Sequence, residues 1–178
     1  MPRISFAVKV DVSKESSINK AVAAAIARLE GVDVMVNNAG IGGAVLSWEM
    51  SLKTWQEMID IDLTAVFLGC KAVLPTMIEQ RSGRIVNTGS QLGFCGAPTM
   101  AHYCAAKGGV HALTKSIARE VAQYGITVNA LAPGFFPSKM TQGLLAAVGA
   151  EKMASHAPLN RLGDDEDLKG AALLFASK

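Results

Sequence analysis

The sequence predicts an α/β domain built on a mostly parallel sheet, and three observations point there. Short apolar runs at residues 6–10, 32–37, 83–89 and 126–132 alternate with longer segments of helical periodicity, the order that parallel strands with helical crossovers require. Half of the residues are apolar and the mean hydropathy is +0.28, as expected where helices cover the sheet and no strand face meets water. The 178 residues suit one domain with a substantial core, and no repeat, low-complexity tract or linker divides them.

Each element has its own signal. Residues 6–10 read as a first strand, and Ser13 is a plausible N-cap for an alanine-rich helix that stops before Gly31. Residues 32–37 form a second strand, and 38–50 a glycine-containing loop. Ser51 or Thr54 then opens a long helix to about Gln80, with Pro75 placed to bend its last turn. Residues 83–89 give a third strand, followed by a loop to Ala101 and a helix to about Tyr124. Gly125 stands where a left-handed cap is needed. Residues 126–132 are the fourth strand. A long loop with helical pieces follows, then a last helix from about Asp165.

Composition excludes several functions. No uncharged apolar run reaches the length of a membrane span. Met1-Pro-Arg-Ile-Ser has no apolar core of the kind a secretory leader carries. A net charge of +2 without a basic cluster gives nucleic acid no electrostatic footing. Cys70, Cys95 and Cys104 are odd in number and lack metal-like spacing, so they read as reduced thiols and place the chain in the cytoplasm. His102, His111 and His156 are scattered, and no metal site is predicted.

The most informative feature is Tyr103-Cys-Ala-Ala-Lys107, with Ser90 thirteen residues upstream. Residues four apart share one face of a helix. An ammonium about 4 Å from a phenol interacts by about 4 kcal/mol at an effective dielectric of 20, enough to lower a phenol pKa from about 10 by up to about three. The tyrosine then becomes a usable proton donor and acceptor, and a neighbouring serine hydroxyl can hold a carbonyl or alcohol oxygen. Taken alone, such a pair is most often two residues on a surface helix. Its surroundings change that reading.

Four more segments stand at fitting distances. Asn37-Asn38-Ala39-Gly40 follows the second apolar run, and Arg84-Ile-Val-Asn-Thr-Gly-Ser90 ends the third at the serine. Val128-Asn-Ala-Leu-Ala-Pro133-Gly134 follows the tyrosine helix, and Asp11-Val12 closes the first run. Together they resemble the short-chain dehydrogenase/reductase family, in particular its small single-domain reductases of the 3-oxoacyl-carrier-protein reductase type, from about Val8 to Phe175.

The resemblance implies an incomplete Rossmann-like, doubly wound parallel sheet of about four strands with flanking helices. It is incomplete because the family opens with a strand and a T-G-x-x-x-G-x-G loop that holds the cofactor pyrophosphate on backbone amides and a helix N-terminus. Here no glycine precedes Gly31. The strand after that loop, and the family's last strand beyond Lys178, are also expected to be missing. Their loss leaves an apolar sheet edge at residues 32–36. Residues 6–10 are expected to slide across and pair in parallel with 32–37, since the intervening helix permits a right-handed crossover.

By the same resemblance, Tyr103 is the general acid and base, Lys107 holds the nicotinamide ribose and depresses the tyrosine pKa, and Ser90 binds the substrate oxygen. The family's fourth catalytic residue is an asparagine in a V-N-L-T-like stretch; here the stretch is Ile61-Asp62-Leu63-Thr64. A carboxylate accepts hydrogen bonds but cannot donate when ionised. The water relay to the lysine is therefore altered at Asp62, surviving if Asp62 pairs with Lys107 or holds a proton. Asp62→Asn, with the ends restored, is expected to raise turnover. Asn37, Ala39 and Gly40 are expected on the adenosine side of NAD or NADP, where small residues admit the backbone closely, and Asp11 and Val12 at the adenine. Pro133, Gly134, Phe136 and Ser138 match the segment that holds the nicotinamide amide. Residues 91–100 and 135–140, with Phe94, Met100, Phe135, Phe136 and Met140, are candidates for a partly apolar pocket for a small carbonyl or alcohol substrate. An ordinary core role fits each of them as well.

The leading reading is a nicotinamide-dependent oxidoreductase. A second is a non-catalytic interaction module, because the helices at about 51–80 and 102–124 match those through which the family forms homo-oligomers. A nucleotide-sugar epimerase shares Tyr-x-x-x-Lys, but the compact length and Asn-Asn-Ala-Gly argue against it.

Overall fold

A three-stranded parallel sheet in the order β1–β2–β3 lies at the centre of the fold, with β1 at Val34–Asn37, β2 at Gly83–Thr88 and β3 at Ile126–Leu131. The computed structural model describes residues 5–177. Register places Val36 opposite Val86, and Val86 opposite Asn129. Helix α1 (Glu15–Leu29) precedes β1, and α2 (Leu52–Gln80) crosses from β1 to β2. The short α3 (Leu92–Cys95) and the long α4 (Ala101–Val121) return the chain to β3. Two short helices, α5 (Gln142–Val148) and α6 (Ala150–Ala154), lead to α7 (Asp165–Ala176), which packs on β2 and β3.

Helix-period stripes on α2 and α4 explain how the sheet is covered. Val66, Cys70, Val73 and Met77 of α2 meet Val110, Ile117 and Val121 of α4 over Ile85, Ile126 and Val128. Successive strand residues point to opposite faces, and Ile85 and Val86 are both buried, so β2 is covered on both sides. At Gly69, an added Cβ would lie 2.1 Å from Asn37 Oδ1, so this glycine lets α2 approach β1 closely. Gly125 has φ 74° and ψ 23°, the left-handed turn expected between α4 and β3.

Helix α2 starts as expected, with Ser51 Oγ accepting a hydrogen bond from Thr54 N–H at 3.0 Å. Its middle is not regular: residues Asp60–Thr64 form a π-helical turn, and Asp62 within it is fully buried. One added residue per turn redirects a side chain, which is why such turns are frequent at functional sites. The helix continues through Pro75 to Gln80 and ends at Arg81 with φ 54°. By length and composition α2 is apolar enough to cross a membrane, but here its stripe forms the core over the sheet.

Two expectations fail at the N-terminal end. The sheet has three strands among the described residues, because residues 5–10 join no ladder. Residues 6–10 do not pair with β1. Val10 and Val12 instead line a cavity of about 230 Å³ together with Val36, Asn37 and Ala39, and no ladder joins the two segments. Phe6 lies under the Arg28 guanidinium at 4.6 Å. The apolar edge does stand open, with Val36 54% exposed. Ser13 is not the cap of α1: its N–H and hydroxyl both donate to Asp11 Oδ1, and Lys14 takes the N-cap position without a side-chain bond.

Candidate active site

Helix α4 presents Tyr103 and Lys107 one turn apart, with the ammonium 5.7 Å from the centre of the phenol ring. Lys107 is 3% exposed. Its Nζ donates to the Thr88 carbonyl at the end of β2, at 2.9 Å, and lies 3.2 Å from Asp62 Oδ2. The π-helical turn of α2 therefore aims Asp62 at the lysine, while Asp62 Oδ1 accepts from Ile41 N–H at 2.8 Å. The contact at Oδ2 is one of charge: the lysine is close, but no donor is aligned on that oxygen. Asp62 thus pairs with Lys107, one of the two arrangements expected.

Burial raises the Asp62 pKa above the usual carboxylate value; the Lys107 charge and the Ile41 N–H oppose this without cancelling it. Tyr103 corrects the sequence reading. Its pKa is raised, chiefly by burial and further by the Asp62 charge, with the Ser90 hydroxyl pulling the other way. No net depression results, because burial, and after it the charge of a carboxylate that a sequence cannot place, outweigh what favours the tyrosinate.

Ser90 follows β2 and is 7% exposed. Gly89 N–H donates to Leu131 O at 2.7 Å and Gln91 N–H to Pro133 O at 3.1 Å, so the end of β3 holds both flanks of the serine. Ser90 Oγ accepts from Leu92 N–H at 3.2 Å, and Ser90 N–H donates to His111 Nε2 at 3.4 Å. Gly93 makes this turn possible. A Cβ there would lie 2.7 Å from the Lys107 carbonyl carbon and 2.8 Å from Gly108 N, so α3 rests directly on the α4 backbone.

The remaining expected residues divide into two groups. Val12, Asn37 and Ala39 line the 230 Å³ cavity between α1 and β1. Gly40 abuts the carboxylate: a Cβ there would lie 3.0 Å from Asp62 Oδ2. Asp11 stays outside that cavity, held in its own turn by Ser13 and paired with Lys14 at 3.0 Å. Gly134 and Phe136 line a second cavity of about 300 Å³ with Gln91, Met153 and Leu162, and Pro133 anchors its rim through Gln91. Ser138 is exposed and bonded with Thr141, whose N–H donates to Ser138 Oγ at 3.2 Å. The chain thus brings Ser90, Tyr103, Lys107 and Asp62 together and leaves Asp11 apart.

Asn87, Thr114 and His111 were not singled out from the sequence. Asn37 Nδ2 donates to Asn87 Oδ1 at 2.9 Å, Asn87 Nδ2 to Thr114 Oγ1 at 3.0 Å, and Thr114 Oγ1 to Val110 O at 2.7 Å. This ladder ties β1, β2 and α4 beneath the site. Its signal was legible: Asn87 is a polar residue inside the apolar strand run of β2, and it is fully buried.

Tyr103, Lys107 and Ser90 converge at the C-terminal ends of parallel strands, where α/β sheets bind their ligands. The chain belongs to the short-chain dehydrogenase family, whose model matches residues 3–148. It is 40% identical over 173 residues to a 3-oxoacyl-acyl-carrier-protein reductase from Synechocystis sp., covering 97% of this chain and 68% of that one. A reductase of the same name from Staphylococcus epidermidis is 41% identical, with 97% of this chain and 70% of that one covered. Among solved structures, a gluconate 5-dehydrogenase from Burkholderia cenocepacia, in complex with NADP and tartrate, superposes with a TM-score of 0.90 at 33% identity, over 94% of this chain and 66% of that one. An NAD+-bound xylitol dehydrogenase gives 0.90 at 30% identity, over 95% and 71%. The chain spans about two thirds of the length of these relatives. By family it is an NAD(P)-dependent oxidoreductase.

The donor set of this chain fits one side of such a cofactor. The Lys107 ammonium and the Tyr103 hydroxyl suit ribose hydroxyls, and the apolar cavity at Val12, Asn37 and Ala39 suits a flat base. No glycine-rich loop for the pyrophosphate precedes β1 in this sequence.

Proposed function

We propose that this chain interconverts a small carbonyl compound and its secondary alcohol, with Tyr103 moving the proton and NAD or NADP as the redox partner. The observation that carries the reading is the convergence of Ser90, Tyr103 and Lys107, with the lysine fixed between Asp62 Oδ2 at 3.2 Å and Thr88 O at 2.9 Å. A bound nicotinamide supplies or accepts the hydride. Ser90 Oγ holds the substrate oxygen beside the phenol. In reduction Tyr103 Oη gives its proton to that oxygen, and in oxidation it takes the proton back. Lys107 holds the ribose, and its charge stabilises the tyrosinate that reduction leaves. Asp62 fixes Lys107 and is the acceptor end of any relay that returns the proton. The ends of β2 and β3 hold Ser90, and α4 holds Tyr103, so that both meet one substrate atom.

The cavity lined by Gly134, Phe135 and Phe136 accommodates an apolar portion of the substrate. Homo-oligomer formation through α2 is supported by Leu52 and Phe67, which stand 78% and 44% exposed. All three cysteines are free thiols, which suits the cytoplasm. A screen of ketones, aldehydes and secondary alcohols, read by reduced-cofactor absorbance, tests the proposal. Turnover that disappears in Tyr103→Phe is expected; turnover unchanged in that variant would overturn the assignment.

A further inference from the structure

We infer that His111 is a positioning residue for Ser90, and that the neutral form of its imidazole holds the serine turn in its working place. The inference rests on the role proposed above for Ser90. Four features surround His111, one turn beyond Lys107 on α4. It is 6% exposed. Its Nε2 accepts the Ser90 N–H at 3.4 Å. Its ring stacks on Phe94 of α3, with centroids 4.0 Å apart and planes inclined by 19°. Two glycines make room for it: a Cβ on Gly89 would lie 2.4 Å from Nε2, and one on Gly93 would lie 2.8 Å from Cε1. The segment from Gly89 to Phe94 is thus folded around one imidazole, and Ser90 lies inside that wrap.

The chemistry requires a neutral ring. An imidazole that accepts at Nε2 carries its proton on Nδ1, whereas an imidazolium donates at both nitrogens. Protonation would set two donors, the ring N–H and the Ser90 N–H, against each other. It would also leave the charge without an acceptor, because Nδ1 is buried and has no partner. Burial opposes protonation most, and the charged groups facing the ring, Lys115 and Lys107 on its own helix, oppose it further. In the segment wrapped around it, residues 88–95, Cys95 is the only titratable group, and its Sγ donates to Gln91 O. Residues 126–134, which contribute Leu131 behind Gly89, contain no titratable side chain. Acid would therefore release the turn by removing the acceptor of the Ser90 N–H.

Backbone amide NMR of the chain, with His111→Gln and His111→Leu, tests this without requiring turnover. Glutamine offers an amide oxygen near the place of Nε2 and does not titrate; leucine offers no acceptor. In the parent chain the Ser90 amide is expected to shift with the same midpoint as the His111 ring, below the ordinary value of about 6.5, and to exchange at least tenfold faster beneath it. In His111→Gln the amide should stay protected across that range, and in His111→Leu it should be unprotected throughout. A Ser90 amide that ignores His111 titration, or equal protection in the glutamine and leucine variants, would overturn the inference. Where turnover is measurable, the acid limb of its pH profile should vanish in His111→Gln. An inactive chain whose Ser90 amide follows His111 would count against the oxidoreductase reading and leave this one standing.

Discussion

Replacing Asp62 by asparagine should lower the pKa of Tyr103. The Lys107 ammonium lies 5.7 Å from the phenol centre, and at an effective dielectric of 20 it favours the tyrosinate by about 3 kcal/mol. Asp62 Oδ2 is 3.2 Å from that ammonium, so it lies no more than about 9 Å from the ring, where its charge opposes the tyrosinate by at least about 1.8 kcal/mol. Burial is the main cause of the raised Tyr103 pKa, and the carboxylate adds to it by cancelling more than half of the help the lysine offers. Asparagine keeps an oxygen for the Ile41 N–H and removes the charge. The predicted result is a lower Tyr103 pKa. Phenol ring-carbon NMR reads it directly, in a Tyr124→Phe background because the chain has two tyrosines. Lys107→Met should move the same titration upward. A Tyr103 titration that stays in place or rises in Asp62→Asn would refute the electrostatic account of the triad. With a lower phenol pKa, proton transfer near neutrality becomes easier, so turnover should rise in any longer form of the chain that binds cofactor well.

Further outcomes follow from packing and from the open sheet edge. Gly93→Ala places a methyl group 2.7 Å from the Lys107 backbone; α3 must move off α4, and denaturant unfolding should show a loss of about 1–3 kcal/mol. Val36→Lys puts a charge on the exposed edge of β1 and should reduce concentration-dependent association seen by light scattering, as charged edge residues do; unchanged association would place the contact elsewhere, for example on Leu52 and Phe67 of α2.

The site was legible where chemistry depends on spacing along one element. Tyr103 and Lys107 lie four apart on α4, and Ser90 ends an apolar run, so both could be read from residue order. The substitution at Asp62 was legible as a departure from pattern, and its pairing with Lys107 as one of two arrangements. The π-helical turn that holds the buried Asp62 was not, because nothing in the residue types of Asp60–Thr64 distinguishes a π-turn from an ordinary helical turn. The tyrosine pKa was misread for a related reason. The sequence shows the cation one turn away but neither the burial that raises the phenol most nor the carboxylate from another helix that adds to it. Residues 6–10 have a strand's composition yet join no ladder: composition does not by itself supply a partner, and Val10 lines a cavity with Val36 instead. His111 looked like one scattered histidine of three; only the fold brings Gly89 and Gly93 against its ring.

The central claim is that Ser90, Tyr103 and Lys107 form a working cofactor and proton-transfer site in this chain. Titration of the purified, mass-verified chain with NADH and with NADPH, followed by cofactor fluorescence, tests it most directly. Saturable binding of at least one of the two is expected, weakened at least tenfold in Lys107→Ala and little changed in Tyr103→Phe. Absence of binding at millimolar cofactor, or binding indifferent to Lys107, would contradict it.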